Sequence, residues 1–577
     1  MGFDVSIRIA GEAGQGIQTI GTALCRVIQQ TGMHLFANQD YMSRVRGGNN
    51  FFQIRVADPA PVALREFVDV LLAMDAESVP LHRKALAAGG RMLIDKSKNN
   101  VAGNDGPVID VPLFSTAKEI GGDERYVSTV ALGVLSGMLG LGLDRIDDTV
   151  KSLFTAKGQE MVDKNIACAR EGHKIGSQHL LPVDGRKQTA DLRPRYLLNG
   201  NEAIAAGALF AGCRFYSAYP MSPSTTIMET LAHFSAKYHF VVEQAEDEIA
   251  AVNMVIGASF AGARAMTGTS GGGFALMTEG LSLAAMTETP IVIVDAQRPA
   301  PATGFPTRTE QADLDLVLHA GHGEFARVVY APGSIEEAFE LTVRAFDVSD
   351  RFQIPAIILT DQLLADSVRA VESFDTGRLK RDRHVLTKEE SKGITKYRRY
   401  ELTESGISPR AVPSWINDVI YADSDEHTEE GHITEDGELR IRMVDKRFKK
   451  KMESLTKEVY PPVSGHIDNA LTILIGFGST YGVLREVSDS MALESVGFIH
   501  VPQIWPFPVD VFKTIIAKAP GANIITVENN ASGQLARLIF RETGIQANSS
   551  VLKYDGRPFS VDEVQRRVKM PGRNHGQ

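Results

Sequence analysis

Residues 241–280 read VVEQAEDEIAAVNMVIGASFAGARAMTGTSGGGFALMTEG, and this stretch constrains the fold more than any other. Three glutamates and an aspartate fall within the six positions from Glu243 to Glu248, and the next thirty residues carry one charge, Arg264. A run so poor in charge belongs inside a protein, so the carboxylates at its start either end in water or head a buried face. Counted from Glu248, the residues Ala251, Val252, Val255 and Ser259 follow at i+3, i+4, i+7 and i+11, one face of a helix expected to begin near Ala245. Glu248 therefore heads the apolar face. Glu243 closes the preceding strand, while Glu246 and Asp247 turn elsewhere, where acids in a first helical turn simply suit the dipole. GASFAGARAM is small enough for another backbone to approach closely, and TGTSGGG reads as a strand-to-loop segment fit to wrap a ligand.

Around this stretch the chain alternates short apolar strands with helical patterns, the signature of α/β architecture. At about 150 residues per domain, 577 residues suffice for three or four domains. The pattern divides into a first α/β domain over 1–178, expected to carry a mostly parallel sheet, and a polar linker over 179–196. A second, doubly wound α/β domain spans 197–376, and a third α/β domain spans 465–577. Between them, 377–464 carries runs such as KYRRYE, DSDEHTEEGHITEDGE and DKRFKKKMES and few apolar clusters, so an extended, solvated connector with room for one helix is expected. VSTVALGVLSGMLGLGL, from Val127, is too short and glycine-rich to span a bilayer and reads as a buried helix in which Gly133 and Gly137 permit close packing.

The formal net charge of −10 gives no electrostatic footprint for nucleic acid. The three cysteines, Cys25, Cys168 and Cys213, stand apart with no CxxC pair, so neither a disulfide framework nor an iron–sulfur site can be built from them, and their usage fits a reducing cytoplasm. The opening FDVSIRIAG lacks the basic region and cleavage site of a secretory signal.

Several loops compete for chemistry. GEAGQG, Gly11 to Gly16, lies between a strand and a helix, with Asp40 about 24 residues on; its order is GxxGxG rather than the dinucleotide GxGxxG, so a plain tight turn competes with dinucleotide binding. Arg44 and Arg46 in YMSRVRGGNN stand on a loop where a phosphate, a carboxylate or plain solvent can hold them. SAYPMSPST, Ser217 to Thr225, ends a strand and leads hydroxyls into a helix, the geometry of both a cap and an anion site. After the strand that ends VDAQ, Arg298 opens a proline-rich loop carrying Thr303, Thr307 and Arg308, and Pro299 limits its freedom, which suits bidentate capture of a carboxylate.

Four segments together, YPMSPST, the stretch from Glu246 to Gly280, QRPAPATGFPTRTEQADLD and TESGISPRAVP, resemble the alpha subunits of 2-oxoacid:ferredoxin oxidoreductases that carry a gamma domain fused ahead of the alpha subunit, and most resemble the 2-oxoglutarate type. The resemblance spans nearly the whole chain. It implies that the second domain binds the pyrimidine of thiamine diphosphate, with Glu248 as the catalytic acid on the aminopyrimidine ring and Tyr219 and Pro220 lining the cofactor pocket. It further implies that Ser222, Thr225 and Arg298 meet the oxoacid, with Arg308 a candidate for a distal carboxylate. The N-terminal domain would be gamma-like, with Arg44 and Arg46 as candidate coenzyme A or interface residues, and the last domain transketolase C-terminal-like. The loop departs from the family's RPGPSTGLPT in reading RPAPATGFPT.

No GDG motif occurs in the chain, so the resemblance places the diphosphate site with its Mg²⁺, and a [4Fe-4S] cluster, on a beta subunit, in an (alpha-beta)₂ assembly. The implied reaction is CoA-dependent oxidative decarboxylation of a 2-oxoacid with electrons to ferredoxin, reversible for CO₂ fixation as in a reductive TCA cycle. Pyruvate and branched-chain oxoacids are the alternative substrates. A dinucleotide-dependent oxidoreductase using GEAGQG, and a non-catalytic docking subunit, are the alternative functions. No nucleic acid and no membrane are expected as partners.

Overall fold

The computed structural model describes residues 3–43, 48–99, 108–181 and 195–569. The chain folds into two compact units, one of Met1–Leu198, Asp366–Ser373 and Ser560–Arg566, the other of Asn199–Ala365, Phe374–Phe559 and Arg567–Gln577.

The first unit is built on β1 (Asp4–Glu12), β2 (His34–Asp40), β3 (Asn49–Ala57), β4 (Val68–Ala73), β5 (Leu86–Ile94), β6 (Val108–Asp110), β7 (Tyr196–Leu198) and a strand that returns from far along the chain, β14 (Val368–Val371). Their order is β6-β5-β4-β1-β3-β2-β14-β7. The sheet is mixed rather than mostly parallel: β4, β5 and β6 run parallel to β1, while β3 pairs antiparallel with both β1 and β2. The reason is connection length, since the short link from Asp40 to Asn49 leaves no room for the crossover that parallel neighbours need. The expected buried helix forms over Val127–Met138. A Cβ on Gly133 or Gly137 would strike the carbonyls of Ala169 and His173 on the helix Gln159–Gly176, whose Gly172 and Gly176 face Val130 and Val134 in return. Two glycine pairs at i, i+4 thus bring the two backbones into contact.

The second unit holds two sheets. β8 (Phe215–Ala218), β9 (Val241–Gln244), β10 (Ala265–Thr269), β11 (Ile291–Gln297), β12 (Val328–Tyr330), β13 (Pro355–Asp361) and β18 (Gln503–Trp505) form one, in the order β18-β12-β13-β11-β10-β8-β9. All neighbours are parallel except β18. β15 (Val463–Gly465), β16 (Thr472–Gly476), β17 (Val496–His500), β19 (Asn523–Glu528) and β20 (Ser549–Leu552) form the other, in the order β15-β17-β16-β19-β20. Residues of both sheets, among them Ile293, Ile357, Ile473 and Ile499, belong to one buried apolar cluster. The stretches 197–376 and 465–577, read from sequence as separate domains, therefore share a core.

The stretch 377–464 departs from the extended, solvated connector expected. It carries short helices at Lys388–Lys392, Gly437–Val444 and Lys451–Thr456, the last two joined by a π-helical turn over Asp445–Lys450. Tyr400, His427, Lys446 and Lys451 are buried. Lys446 and Lys451 pair with the two carboxylate oxygens of buried Glu288, and Arg399 donates to the Glu288 carbonyl at 2.6 Å and to Gln353 Oε1 at 2.7 Å. Because a π-turn closes i to i+5, it sets Lys446 and Lys451 on the same face. Arg410 likewise joins Arg264 on Asp350, each at 2.7 Å. The partners of these charges lie more than a hundred residues away for Glu288, and no local pattern shows them.

Candidate active site

In the seven-stranded sheet β8 neighbours both β9 and β10, so the chain leaves β8 toward one edge and then crosses to its other side. Such a reversal of strand order opens a crevice at the carboxyl ends of the strands, where open α/β sheets bind ligands. The segments that leave this end of β8, β9, β10 and β11 carry, in turn, Tyr219 to Ser222, Glu248, Ser270 to Gly273, and Arg298.

Glu248 is the first residue of the helix Glu248–Phe260, later than the expected Ala245 because Asp247 stays extended and caps it, its side chain accepting from the Ala250 N–H at 2.7 Å. Glu248, Ala251, Val252, Val255 and Ser259 are all buried, while Glu243, Glu246 and Asp247 are exposed. Glu248 itself is 3% exposed, and its Oε1 is buried without a hydrogen-bond partner among the described residues. An unpaired buried carboxyl oxygen costs about 1–3 kcal/mol or more. A Cβ on Gly273 would lie 2.5 Å from that oxygen and would also strike Thr269 Oγ1, so glycine at 273 keeps the space before the carboxyl open. TGTSGGG is thus not the loop expected: its glycines open a short helix, Gly271–Leu276.

Arg298 is half-buried and donates from Nη1 to the Ser222 carbonyl at 2.8 Å, which joins two of the expected oxoacid residues directly. Burial lowers its pKa, and the carboxylates of Asp313 and Glu248 act in the opposite sense, so both stand within electrostatic reach of the guanidinium. Ser222 is half-buried, and Thr225 opens the helix Thr225–Tyr238. Ser224 occupies the cap position without capping, its hydroxyl donating to the Met221 carbonyl at 2.8 Å. Tyr219 is 42% exposed and Pro220 half-buried. Arg308 lies against the turn at Gly556, where an added Cβ would lie 3.2 Å from the arginine's Cβ.

Sequence reading passed over three further acids. Asp295, within β11, is fully buried and neither carboxylate oxygen has a partner among the described residues; burial, and then the charge of Asp313, raise its pKa well above the usual range. Asp313 is pushed up to about 6 by burial and by Glu310, against the pull of Arg298. Glu310, raised by burial, accepts from the Ala300 N–H at 3.2 Å and so ties down the loop after Arg298. A polar residue within the strand IVIVDAQ was the available signal for Asp295.

In the first unit, Gly14 and Gly16 of GEAGQG adopt φ 96° and 77°, as a tight turn requires. The Glu12 N–H is already taken by Gln15 Oε1 at 2.9 Å and Asp75 Oδ2 at 2.8 Å. β3 separates β1 from the Asp40 strand, so the adjacent parallel strands of a dinucleotide fold are not formed. Arg44 and Arg46 lie outside the described residues. Among the described residues no helix is long and apolar enough to cross a membrane, and no cluster of His, Cys, Asp and Glu could hold a metal ion.

Comparison with known proteins bears on the family of the chain. The family described as "Pyruvate flavodoxin/ferredoxin oxidoreductase, thiamine diP-bdg" matches residues 206–446, and "Pyruvate ferredoxin/flavodoxin oxidoreductase" matches 6–175. The chain is 32% identical to a 2-oxoacid:ferredoxin oxidoreductase subunit alpha from a Sulfolobus species, over 96% of this chain and 95% of that one. It is 32% identical to the 2-oxoglutarate synthase subunit KorA of Archaeoglobus fulgidus, over 60% of this chain and 90% of the relative. Among solved structures, the 2-oxoglutarate:ferredoxin oxidoreductase of Magnetococcus marinus, with 2-oxoglutarate, coenzyme A and succinyl-CoA bound, superposes with TM-score 0.89 at 29% identity, over 98% of this chain and 99% of that one. A thiamine diphosphate-binding match that contains Glu248 and Arg298, beside a relative aligned along almost the entire length, establishes that the chain belongs to the 2-oxoacid:ferredoxin oxidoreductases, as an alpha subunit with a fused N-terminal gamma-type domain.

Proposed function

We propose that this subunit serves the conversion of 2-oxoglutarate and coenzyme A to succinyl-CoA and CO₂, with electrons passed to ferredoxin, and that the reaction also runs backwards to fix CO₂, as in a reductive TCA cycle. The observation that carries the reading is the buried, unpartnered oxygen of Glu248 facing the space kept open by Gly273. That pairing of acid and space fits a ring nitrogen of an aminopyrimidine. When bound, thiamine diphosphate supplies the nucleophilic carbon for the 2-oxo group and the electron sink for loss of CO₂. Glu248 holds a proton at the ring nitrogen and, being desolvated, does so without competition from water. Tyr219 and Pro220 line the ring's side of the crevice. Arg298, fixed by the Ser222 carbonyl, presents its remaining donors to the oxoacid carboxylate, and the Ser222 and Thr225 hydroxyls complete that contact.

The choice of 2-oxoglutarate rests on the names of the Archaeoglobus and Magnetococcus relatives. In this reading the iron–sulfur cluster, Mg²⁺ and the diphosphate site belong to a beta subunit, in a cytoplasmic (alpha-beta)₂ assembly. The test is to purify the alpha–beta complex, measure thiamine diphosphate released on denaturation, and assay CoA-dependent reduction of a viologen dye with 2-oxoglutarate, pyruvate and branched-chain oxoacids. Release of the cofactor with 2-oxoglutarate as the preferred substrate is expected. Preference for pyruvate would overturn the substrate, and a complex free of thiamine diphosphate would overturn the function.

A further inference from the structure

The roles above leave the carboxyl pair Asp295 and Asp313 unused. Among the described residues, Asp295 on β11 has neither oxygen partnered, and Asp313 Oδ2 is likewise unpartnered, packed so closely on Gly271 that a Cβ there would strike it. The Asp313 N–H donates to Gln297 Oε1 at 2.9 Å, and Gln297 immediately precedes Arg298, so one hydrogen bond ties the backbone of Asp313 to the side chain at the strand end that bears the guanidinium. The charged groups that face Asp313 or Arg298 are Asp295 on β11, Glu310 on the preceding loop, and Glu248 at its helix start. Two neighbouring buried carboxyls do not both ionise readily, so Asp295 and Asp313 titrate as a pair that keeps one proton more firmly than the other.

We propose that Asp313 is a positioning residue that balances the charge of Arg298 while no anion is bound, and that it takes up a proton from solvent when an anionic ligand docks at Arg298. The proposal rests on the assignment of Arg298 to the oxoacid carboxylate. A carboxylate arriving at the guanidinium brings a second negative charge toward Asp313, which raises its pKa further, and the pair then holds two protons instead of one. Because Asp313 is already pushed up to about 6, this proton uptake falls close to neutral pH. Binding that consumes a proton weakens as pH rises above the free-state value, by at most about tenfold per pH unit.

The probe is oxalylglycine, the amide isostere of 2-oxoglutarate, titrated calorimetrically into the intact alpha–beta complex near neutral pH in two buffers of different ionisation enthalpy. The wild-type complex is expected to take up a substantial fraction of one proton per site, Asp313→Glu to retain the uptake, and Asp313→Asn to lose it. Asp313→Asn should also lower the KM for the oxoacid about fivefold at mildly alkaline pH and flatten its pH dependence, an effect on KM rather than kcat that lost packing does not produce. No uptake by the wild type, the same uptake in Asp313→Asn, or a raised KM with an unchanged pH slope would each overturn the proposal. The wild-type calorimetry decides it even if the variants fold poorly. Arg298→Lys separates the two claims: a raised KM with no wild-type proton uptake removes only the role of Asp313, whereas an unchanged KM removes the site reading and this proposal with it.

Discussion

Glu288 and Glu248 lie in the same unit, 0% and 3% exposed, yet their surroundings are opposite. Glu288 accepts from Lys446 and Lys451 on its two oxygens, and although burial opposes ionisation, these cations and Arg399 hold its carboxyl well below the usual range. Glu248 has an oxygen with no partner among the described residues, and Asp295 and Asp313 carry three more. A buried carboxylate whose oxygens are filled by the chain holds the chain together, here by fastening the segment 377–464 to the unit. One whose oxygens are left open costs stability and persists where something else fills it.

Removing each acid should therefore do opposite things. Glu288→Gln leaves two buried lysines without their counter-charge, and a loss of about 3–5 kcal/mol is expected in denaturant unfolding of the alpha–beta complex. Glu248→Gln should stay within about 1 kcal/mol of wild type in the same experiment, since Glu248 Oε1 makes no hydrogen bond among the described residues. Equal losses in the two variants would erase the contrast.

Lys446 sharpens the comparison through pH. Burial pushes its pKa down to about 7, against the attraction of Glu288. Its folded value lies below its unfolded value, so between about pH 7 and 10 the unfolded chain binds more protons and stability rises with pH, by up to about 1 kcal/mol per unit from this group. Lys446→Met should flatten that rise relative to wild type when stability is followed from about pH 7 to 9. A slope that the substitution leaves unchanged would mean that Lys446 stays charged throughout.

At Arg298 the expected effect falls on substrate binding. Arg298→Lys keeps the charge but loses the planar fork, and KM for the oxoacid should rise about tenfold with unfolding stability near wild type. An unchanged KM across all accepted oxoacids would remove this residue from the site.

Glu248 was legible because helical phase is a local property: five residues spaced for one face proved buried, and their acidic neighbours did not. The glycine-paired helix was legible for the same reason. The mixed sheet of the first unit was less so, since strand direction depends on which strands meet and not on any one strand's pattern. The charges at Arg399, Lys446 and Lys451 read as solvated because Glu288 lies 158 residues from Lys446 and 163 from Lys451. Asp295 was hidden by its place within a strand buried at every position, where alternation carries no information.

The central claim is that the open oxygen of Glu248 serves the aminopyrimidine, and hydrogen–deuterium exchange at the thiazolium C2 of thiamine diphosphate bound to the alpha–beta complex tests it most directly. Exchange should slow roughly 10²- to 10⁴-fold in Glu248→Gln and stay close to wild type in Glu243→Gln and Glu246→Gln, whose side chains are exposed. Wild-type exchange in Glu248→Gln, or a larger defect in Glu246→Gln, would contradict the account.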